Sequence, residues 1–101
     1  LGMGDDGHIA SLFPNTKATK NALDRNSSTV LLENISPAEP KRRVSLSPGF
    51  LFNSRKVLLL VKGENKKQVL DRAKIENDSL HYPVSLIYQQ KDTPVKVMWC
   101  E

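Results

Sequence analysis

Residues 57–74 read VLLLVKGENKKQVLDRAK, and this stretch decides the fold class. The five consecutive aliphatic residues at 57–61 are typical of a strand that is covered on both faces in a parallel sheet. Gly63 predicts a turn, and a helix is predicted from residue 64 to about residue 74, because apolar side chains then share one face. A strand followed by a glycine turn and a helix indicates an α/β fold with a mostly parallel sheet.

Shorter elements are predicted on both sides of this unit. Residues 44–47 alternate apolar and polar side chains, as a half-buried strand does. Residues 29–32, 84–88 and 95–99 are further strand candidates, and residues 50–52 form a compact apolar patch that predicts one or two helical turns. The sequence of 101 residues has no internal repeat and no low-complexity segment, so at most one domain is expected.

The composition is that of an ordinary globular protein, with 39% hydrophobic and 26% charged residues and a net charge of +4. The single cysteine, Cys100, excludes an internal disulfide framework and a zinc site built on two or four cysteines. The apolar runs are far shorter than the ~18 residues that a membrane helix needs, so no membrane partner is expected. The chain opens without a basic and then apolar leader, which gives no indication of secretion. The positively charged residues are scattered and not interleaved with aromatic residues, so nucleic acid is the least expected binding partner.

A glycine-rich turn with two chemically useful side chains opens the chain. Residues 2–7, GMGDDG, fit the pattern G-x-G-x-x-G, but a dinucleotide site needs a long helix after the third glycine, and Pro14 ends any helix here within two turns. Asp6 and His8 are two residues apart, so both side chains can face one cleft. An imidazole beside a carboxylate is suited to proton transfer near neutral pH. Taken alone, the same Asp-Gly-His sequence is also typical of a surface turn.

Residues 2–14, GMGDDGHIASLFP, resemble the signature sequence G-x-G-x-D-G-H-x-A-S-L-F-P of the 6-phosphogluconolactonases. The resemblance implies that residues 1–101 are a single partial domain, the C-terminal portion of a three-layer α/β/α Rossmann-like fold with a mostly parallel sheet. The partner of this portion is then expected to be the missing N-terminal half of the enzyme or a second copy. Further segments resemble the family in the same order along the chain: residues 43–47, 57–66, 82–86 and 97–99.

The resemblance also implies a reaction and the residues that carry it. The family hydrolyses 6-phospho-D-glucono-1,5-lactone, a small-molecule sugar-phosphate lactone of the oxidative pentose phosphate pathway, to 6-phosphogluconate, in the cytoplasm and without metal or cofactor. His8 corresponds to the histidine that acts as general base on the attacking water, and Asp6 to the aspartate that orients its imidazole. Gly4 and Gly7 are expected to line the substrate site, where the backbone N–H groups around them can stabilise a developing oxyanion.

Two cations are expected to hold the substrate phosphate. Lys66 lies three and four residues before Val69 and Leu70, so on a helix it shares their inward face near the helix N-terminus, where phosphates bind in open α/β sheets. By position alone, the alternative is a lysine whose aliphatic stem passes over the core. Arg43 resembles a family arginine near the same phosphate. Arg42 points the opposite way on a strand, and the sequence leaves open which of the two arginines faces the site.

Two other functions fit parts of the sequence. The glucosamine-6-phosphate isomerases/deaminases share Asp-Gly-His-Ile-Ala at residues 6–10, but they differ at residues 11–14, and their catalytic glutamate has no counterpart here. A non-catalytic module that binds sugar phosphates would keep the cations and lack the acid–base chemistry. The remaining candidates are assigned structural roles, because each lacks a matching partner or motif: His81, Ser11, Tyr88, Trp99 and Cys100.

Overall fold

The computed structural model describes residues 1–24 and 28–101. No helix within these ranges is long and apolar enough to cross a membrane. In chain order, the helices and strands are α1 (Lys17–Ala22), β1 (Leu31–Ile35), β2 (Arg42–Leu46), α2 (Pro48–Leu51), β3 (Val57–Lys62), α3 (Glu64–Glu76), a 3₁₀ turn (Pro83–Ser85), α4 (Leu86–Gln89) and β4 (Val95–Cys100).

Two parallel strands joined through a helix form the centre of the fold. β3 pairs with β4 in parallel, with Leu59 opposite Val97. Between them in sequence, α3 packs against β3, and its Ala73 is fully buried in the same hydrophobic core as Leu59. The strand, glycine turn and helix predicted for residues 57–74 and the predicted final strand are therefore confirmed.

The first residues of the chain lie along the other edge of β3. The N–H of Leu60 donates to the Leu1 carbonyl at 2.9 Å, and Gly2 forms a parallel bridge with Leu60. Since residues 1 and 2 run in the same direction as β3, the glycine-rich turn that follows lies at the carboxyl end of β3. Ligands bind at this edge of the sheet in open α/β folds.

The two faces of β3 differ in burial. Val57, Leu59 and Val61 are buried in the core, whereas Leu58 and Leu60 on the opposite face are 43% and 58% exposed. The sequence predicts a strand that is covered on both faces. Within the described residues the face toward α3 is covered, and no second layer packs on Leu58 and Leu60.

The segment at 84–88 is helical, and the prediction of a strand there is wrong. A 3₁₀ turn begins at Pro83, which suits the first helical position, and α4 follows it directly. The Ser85 hydroxyl donates to the Ala73 carbonyl of α3 at 2.9 Å. Because the periodicity of a short buried apolar run does not distinguish a strand from a helix, packing against α3 decides the conformation.

A β-hairpin forms a second sheet. β1 and β2 pair in antiparallel register, with Asn34 opposite Arg43. α1, which the sequence analysis did not predict, packs against β1 and begins after Thr16, whose side chain accepts from the N–H of Thr19. The half-buried strand predicted at 44–47 corresponds to β2. Of the two sheets that the described strands form, only β3–β4 is parallel, so the prediction of a mostly parallel sheet holds for that pair alone.

Candidate active site

The glycine-rich turn is a closed loop whose shape is fixed by its own backbone. Met3 and Ile9 form an antiparallel bridge at its base, and the N–H of Gly4 donates to the His8 carbonyl at 2.9 Å. The N–H of Gly7 donates to the Gly4 carbonyl at 3.0 Å. Gly7 has a φ of +86°, a left-handed conformation that glycine adopts without steric cost.

Asp6 and His8 form a hydrogen-bonded pair within this loop. The Nδ1 atom of His8 lies 2.6 Å from Oδ1 of Asp6, and the His8 backbone N–H donates to the same oxygen at 3.0 Å. Because an ionised carboxylate only accepts hydrogen bonds, a neutral imidazole in this contact donates through Nδ1 and has its lone pair on Nε2. The two side chains are 30% and 39% exposed, so water reaches the pair. An imidazole held in this tautomer can take a proton through Nε2.

The imidazole of His8 lies directly against Gly4. A β-carbon at Gly4 would lie 2.2 Å from Cε1 and 2.3 Å from Nδ1 of His8, closer than any side chain can approach. An alanine at this position would therefore force the imidazole of His8 to move from the place in which it contacts Asp6.

The amides of Gly4 and Gly7 themselves are engaged within the turn, and the contact of residues around them with a substrate stays a prediction. Both N–H groups donate within the loop, so the two glycines shape the turn and do not serve as free donors. Among the described residues, the backbone N–H groups of Asp5 and Asp6 have no acceptor. These two amides are the donors of the turn that remain available to a ligand.

Phe13 connects the imidazole to a cation, and sequence reasoning missed this role. The ring of His8 lies 4.9 Å from the ring of Phe13, and the guanidinium carbon of Arg43 lies 5.8 Å from the centre of the same Phe13 ring. Arg43 is half-buried, and its Nε donates to the Pro40 carbonyl at 2.5 Å. Arg42 lies on the outer face of β2 and is exposed, so Arg43 is the arginine that faces the loop. The only sequence signal for Phe13 was its place in the motif, since a buried phenylalanine is otherwise an ordinary core residue.

Lys66 lies in the first turn of α3, half-buried, as the sequence predicts for a residue on the inward side. Within the described ranges no hydrogen bond or ion pair joins it to His8, Asp6 or Arg43. Its contact with a phosphate therefore stays a prediction.

A cavity of about 550 Å³ lies between the loop and α3, and Asp6, but not His8, is among the residues that line it. His81 lines it, with its Nδ1 3.2 Å from the side-chain nitrogen of Asn15 and its ring edge-on to Tyr82. His81 thus has local partners of its own, and neither of them is Asp6 or His8. Other polar residues also line the cavity: Asp5, Asn65, Gln68 and Arg72. In residues 1–24 and 28–101 no group of three or more histidine, cysteine or acidic residues could hold a metal ion.

The chain that carries this loop is similar to a family of known proteins. The family model described as glucosamine-6-phosphate isomerases/6-phosphogluconolactonase matches residues 1–99. The chain is 32% identical over 101 residues to a 6-phosphogluconolactonase of Neisseria meningitidis serogroup A, covering all of this chain and 43% of that protein. It is 37% identical to a 6-phosphogluconolactonase of Helicobacter pylori strain J99, again over all of this chain and 43% of the relative.

The fold is similar to that of solved members of the same family. The crystal structure of a 6-phosphogluconolactonase from Shewanella baltica OS155 matches with a TM-score of 0.88 and 34% identity, over 97% of this chain and 41% of that chain. The chain thus spans less than half the length of the relatives it matches, and it aligns with their C-terminal part. It belongs to the family of glucosamine-6-phosphate isomerases and 6-phosphogluconolactonases.

Proposed function

We propose that the complete protein carrying this chain hydrolyses 6-phospho-D-glucono-1,5-lactone to 6-phosphogluconate. The observation that carries the proposal is the 2.6 Å contact between His8 Nδ1 and Asp6, which leaves Nε2 as an available base. The names of the relatives support the same activity, since the curated proteins of Neisseria meningitidis and Helicobacter pylori are both called 6-phosphogluconolactonase. Hydrolysis of a lactone needs an activated water and a proton for the leaving oxygen, and one imidazole can supply both.

The proposed mechanism is general base and then general acid catalysis by His8. Nε2 takes a proton from a water, and the oxygen of that water forms a bond to the lactone carbonyl carbon. When the tetrahedral intermediate collapses, the bond between this carbon and the ring oxygen breaks, and the imidazolium returns the proton to that oxygen. The Asp6 carboxylate stabilises the imidazolium, and the unpaired amides of Asp5 and Asp6 are suitable donors to the oxyanion.

We propose that Arg43 and Lys66 hold the substrate phosphate. Arg43 supports this role because its guanidinium lies over the same Phe13 ring that His8 contacts, so a cation and a base lie on one side of the hairpin. Lys66 supports it only by its half-buried place at the start of α3. Two cations on one dianionic phosphate give charge-assisted hydrogen bonds. The acid–base mechanism itself uses neither a metal nor a cofactor.

We also propose that residues 1–101 are the C-terminal portion of a three-layer α/β/α Rossmann-like domain in a cytoplasmic enzyme. The exposed apolar face of the parallel sheet supports this proposal, because Leu60 is 58% and Met98 46% exposed on strands that such a fold covers with a second helical layer. The expected occupant of this face is the N-terminal half of the complete enzyme, with a second copy of the chain as the alternative.

The related amino-sugar activity remains as a second candidate, because the family description includes glucosamine-6-phosphate isomerases. Release of ammonia from glucosamine 6-phosphate by the purified complete protein, without lactone hydrolysis, would favour it. A non-catalytic sugar-phosphate binding module is the third candidate. Binding of 6-phosphogluconate in a thermal-shift titration without turnover of either substrate would favour that module.

Replacing the base tests the mechanism. His8→Ala in the complete protein is expected to lower kcat for lactone hydrolysis by roughly 10²–10⁴-fold, because the proton acceptor for water is removed. Binding of 6-phosphogluconate, measured by calorimetry, is expected to change little, since Arg43 and Lys66 remain. His81→Ala is the matched control and is expected to keep kcat within a few-fold. Undiminished hydrolysis by His8→Ala would remove His8 from the mechanism.

The two glycines at the start of the loop offer a second test. Gly4→Ala is expected to lower kcat/KM by roughly 10²-fold, because its β-carbon displaces the imidazole from its productive position. Gly2→Ala is the control, since no heavy atom of the described residues lies within 4 Å of the added carbon. The thermal unfolding temperature of each variant is measured in parallel to separate displacement of His8 from loss of fold. Equal activity of the two variants would contradict the proposed position of the imidazole.

Two adjacent arginines on β2 allow a specific contact with the phosphate to be distinguished from a general effect of positive charge. Arg43→Ala is expected to raise KM roughly 10- to 100-fold, the range that corresponds to loss of a hydrogen bond to a charged group. Arg42→Ala removes the same charge on the outer face of the hairpin and is expected to change KM by about twofold at most. Steady-state kinetics at fixed ionic strength measure both. If the larger effect came from Arg42, the assignment of the inward arginine would be wrong.

A further inference from the structure

Buried polar side chains of the β-hairpin hold the backbone of Ser11. Asn34 is only 3% exposed, and its side-chain N–H groups donate to the Ser11 carbonyl at 2.9 Å and to the Thr19 hydroxyl at 3.0 Å. Ser45 is also 3% exposed, and its hydroxyl accepts from the N–H of Ser11 at 3.0 Å. The N–H and the carbonyl of Ser11 are therefore both bound by inward side chains of the hairpin.

Ser11 is the residue through which these contacts reach the candidate active site. It lies three residues after His8 and two residues before Phe13. The rings of His8 and Phe13 are in contact, with their centres 4.9 Å apart. The residue before it, Ala10, has a φ of +50°, a left-handed conformation that is unfavourable for a residue with a β-carbon. A backbone in such a conformation persists only where surrounding contacts hold it, and the hairpin supplies two of them.

The register of the hairpin brings the same support to the cation. Asn34 lies directly opposite Arg43 in the β1–β2 pair, and both side chains point to the inner face. Arg43 lies over the Phe13 ring, 5.8 Å from its centre. Asn34 therefore holds the backbone of the loop, and Arg43, directly opposite it, places its guanidinium over the Phe13 ring.

We propose that Asn34 is a positioning residue that fixes the place of the His8 base relative to the Arg43 cation. This inference rests on the proposed function, because the two groups have to match the spacing between the lactone carbonyl and the phosphate of one substrate. Asn34 acts through Ser11 and Phe13 and touches no reacting atom. Loss of its amide frees the Ser11 carbonyl, allows residues 10–13 to relax, and changes the contact between the His8 and Phe13 rings.

The test compares Asn34→Ala with two controls in the complete protein. Glu33→Ala truncates the neighbouring residue on the exposed face of β1. Thr19→Val removes the other buried partner of the Asn34 amide without touching Ser11, so it reports the effect of weakening the same polar cluster at α1. Asn34→Ala is expected to lower kcat by at least tenfold relative to both controls, and to shift the His8 imidazole resonances in NMR spectra, because the ring current of Phe13 acts on them.

Several outcomes decide the proposal. If Asn34→Ala keeps kcat within twofold of the controls and leaves the His8 resonances unchanged, or if Thr19→Val lowers kcat equally, Asn34 has only a structural role. If Asn34→Ala does not fold, Ser45→Ala replaces it, since that variant removes the other bond to Ser11 and is expected to produce the same pair of changes. The NMR readout does not depend on turnover. A wild-type protein without lactonase activity would therefore overturn the proposed function while the shift of the His8 resonances still tests the positioning.

Discussion

The hydrogen bond between His8 Nδ1 and Asp6, at 2.6 Å, constrains the whole of the candidate active site. It can form only if the loop turns sharply enough to bring residues two positions apart into contact, which the Gly4 and Gly7 backbone bonds accomplish. In this position the imidazole lies directly against Gly4, where a β-carbon would displace it. A neutral imidazole then carries its proton on Nδ1, and the opposite nitrogen keeps its lone pair on a side chain that is 30% exposed. The backbone geometry of this short loop therefore determines the position of the proposed base.

Three parts of the fold hold this loop in place from different sides. The parallel strand β3 binds the residues just before it, through the bond from the Leu60 N–H to the Leu1 carbonyl. The 3₁₀ turn binds the Gly7 carbonyl through the N–H of Val84 at 2.9 Å. The hairpin binds the residues just after it through Ser11. Each support comes from a different region of the sequence, so the site depends on the tertiary fold and not on the loop alone.

The parts of the structure that could be predicted from the sequence are those whose conformation depends on a pattern of neighbouring residues. The aliphatic run of β3, the helix that follows Gly63 and the Asp6–His8 pair all depend on residues close together in the chain, and all were found. The helical conformation at 84–88 was missed because its apolar residues fit either structure, and contacts with α3 decide between them. The pairing of Asn34 with Arg43 and the stacking on Phe13 join residues from distant segments, for which no local pattern exists. The engaged amides of Gly4 and Gly7 likewise became evident only from the closed geometry of the loop.

The most direct measurement is a crystal structure of the complete protein with 6-phosphogluconate bound. If His8 is the base, the C1 carboxylate of the product is expected on the Nε2 side of the imidazole, bridged to Nε2 by a water that donates to both, while the phosphate contacts the Arg43 guanidinium. The hydrogen bond from His8 Nδ1 to the Asp6 carboxylate is expected to be retained in the complex. A product bound away from the loop, or one whose phosphate rather than carboxylate contacts His8, would contradict the assignment of His8 as the base.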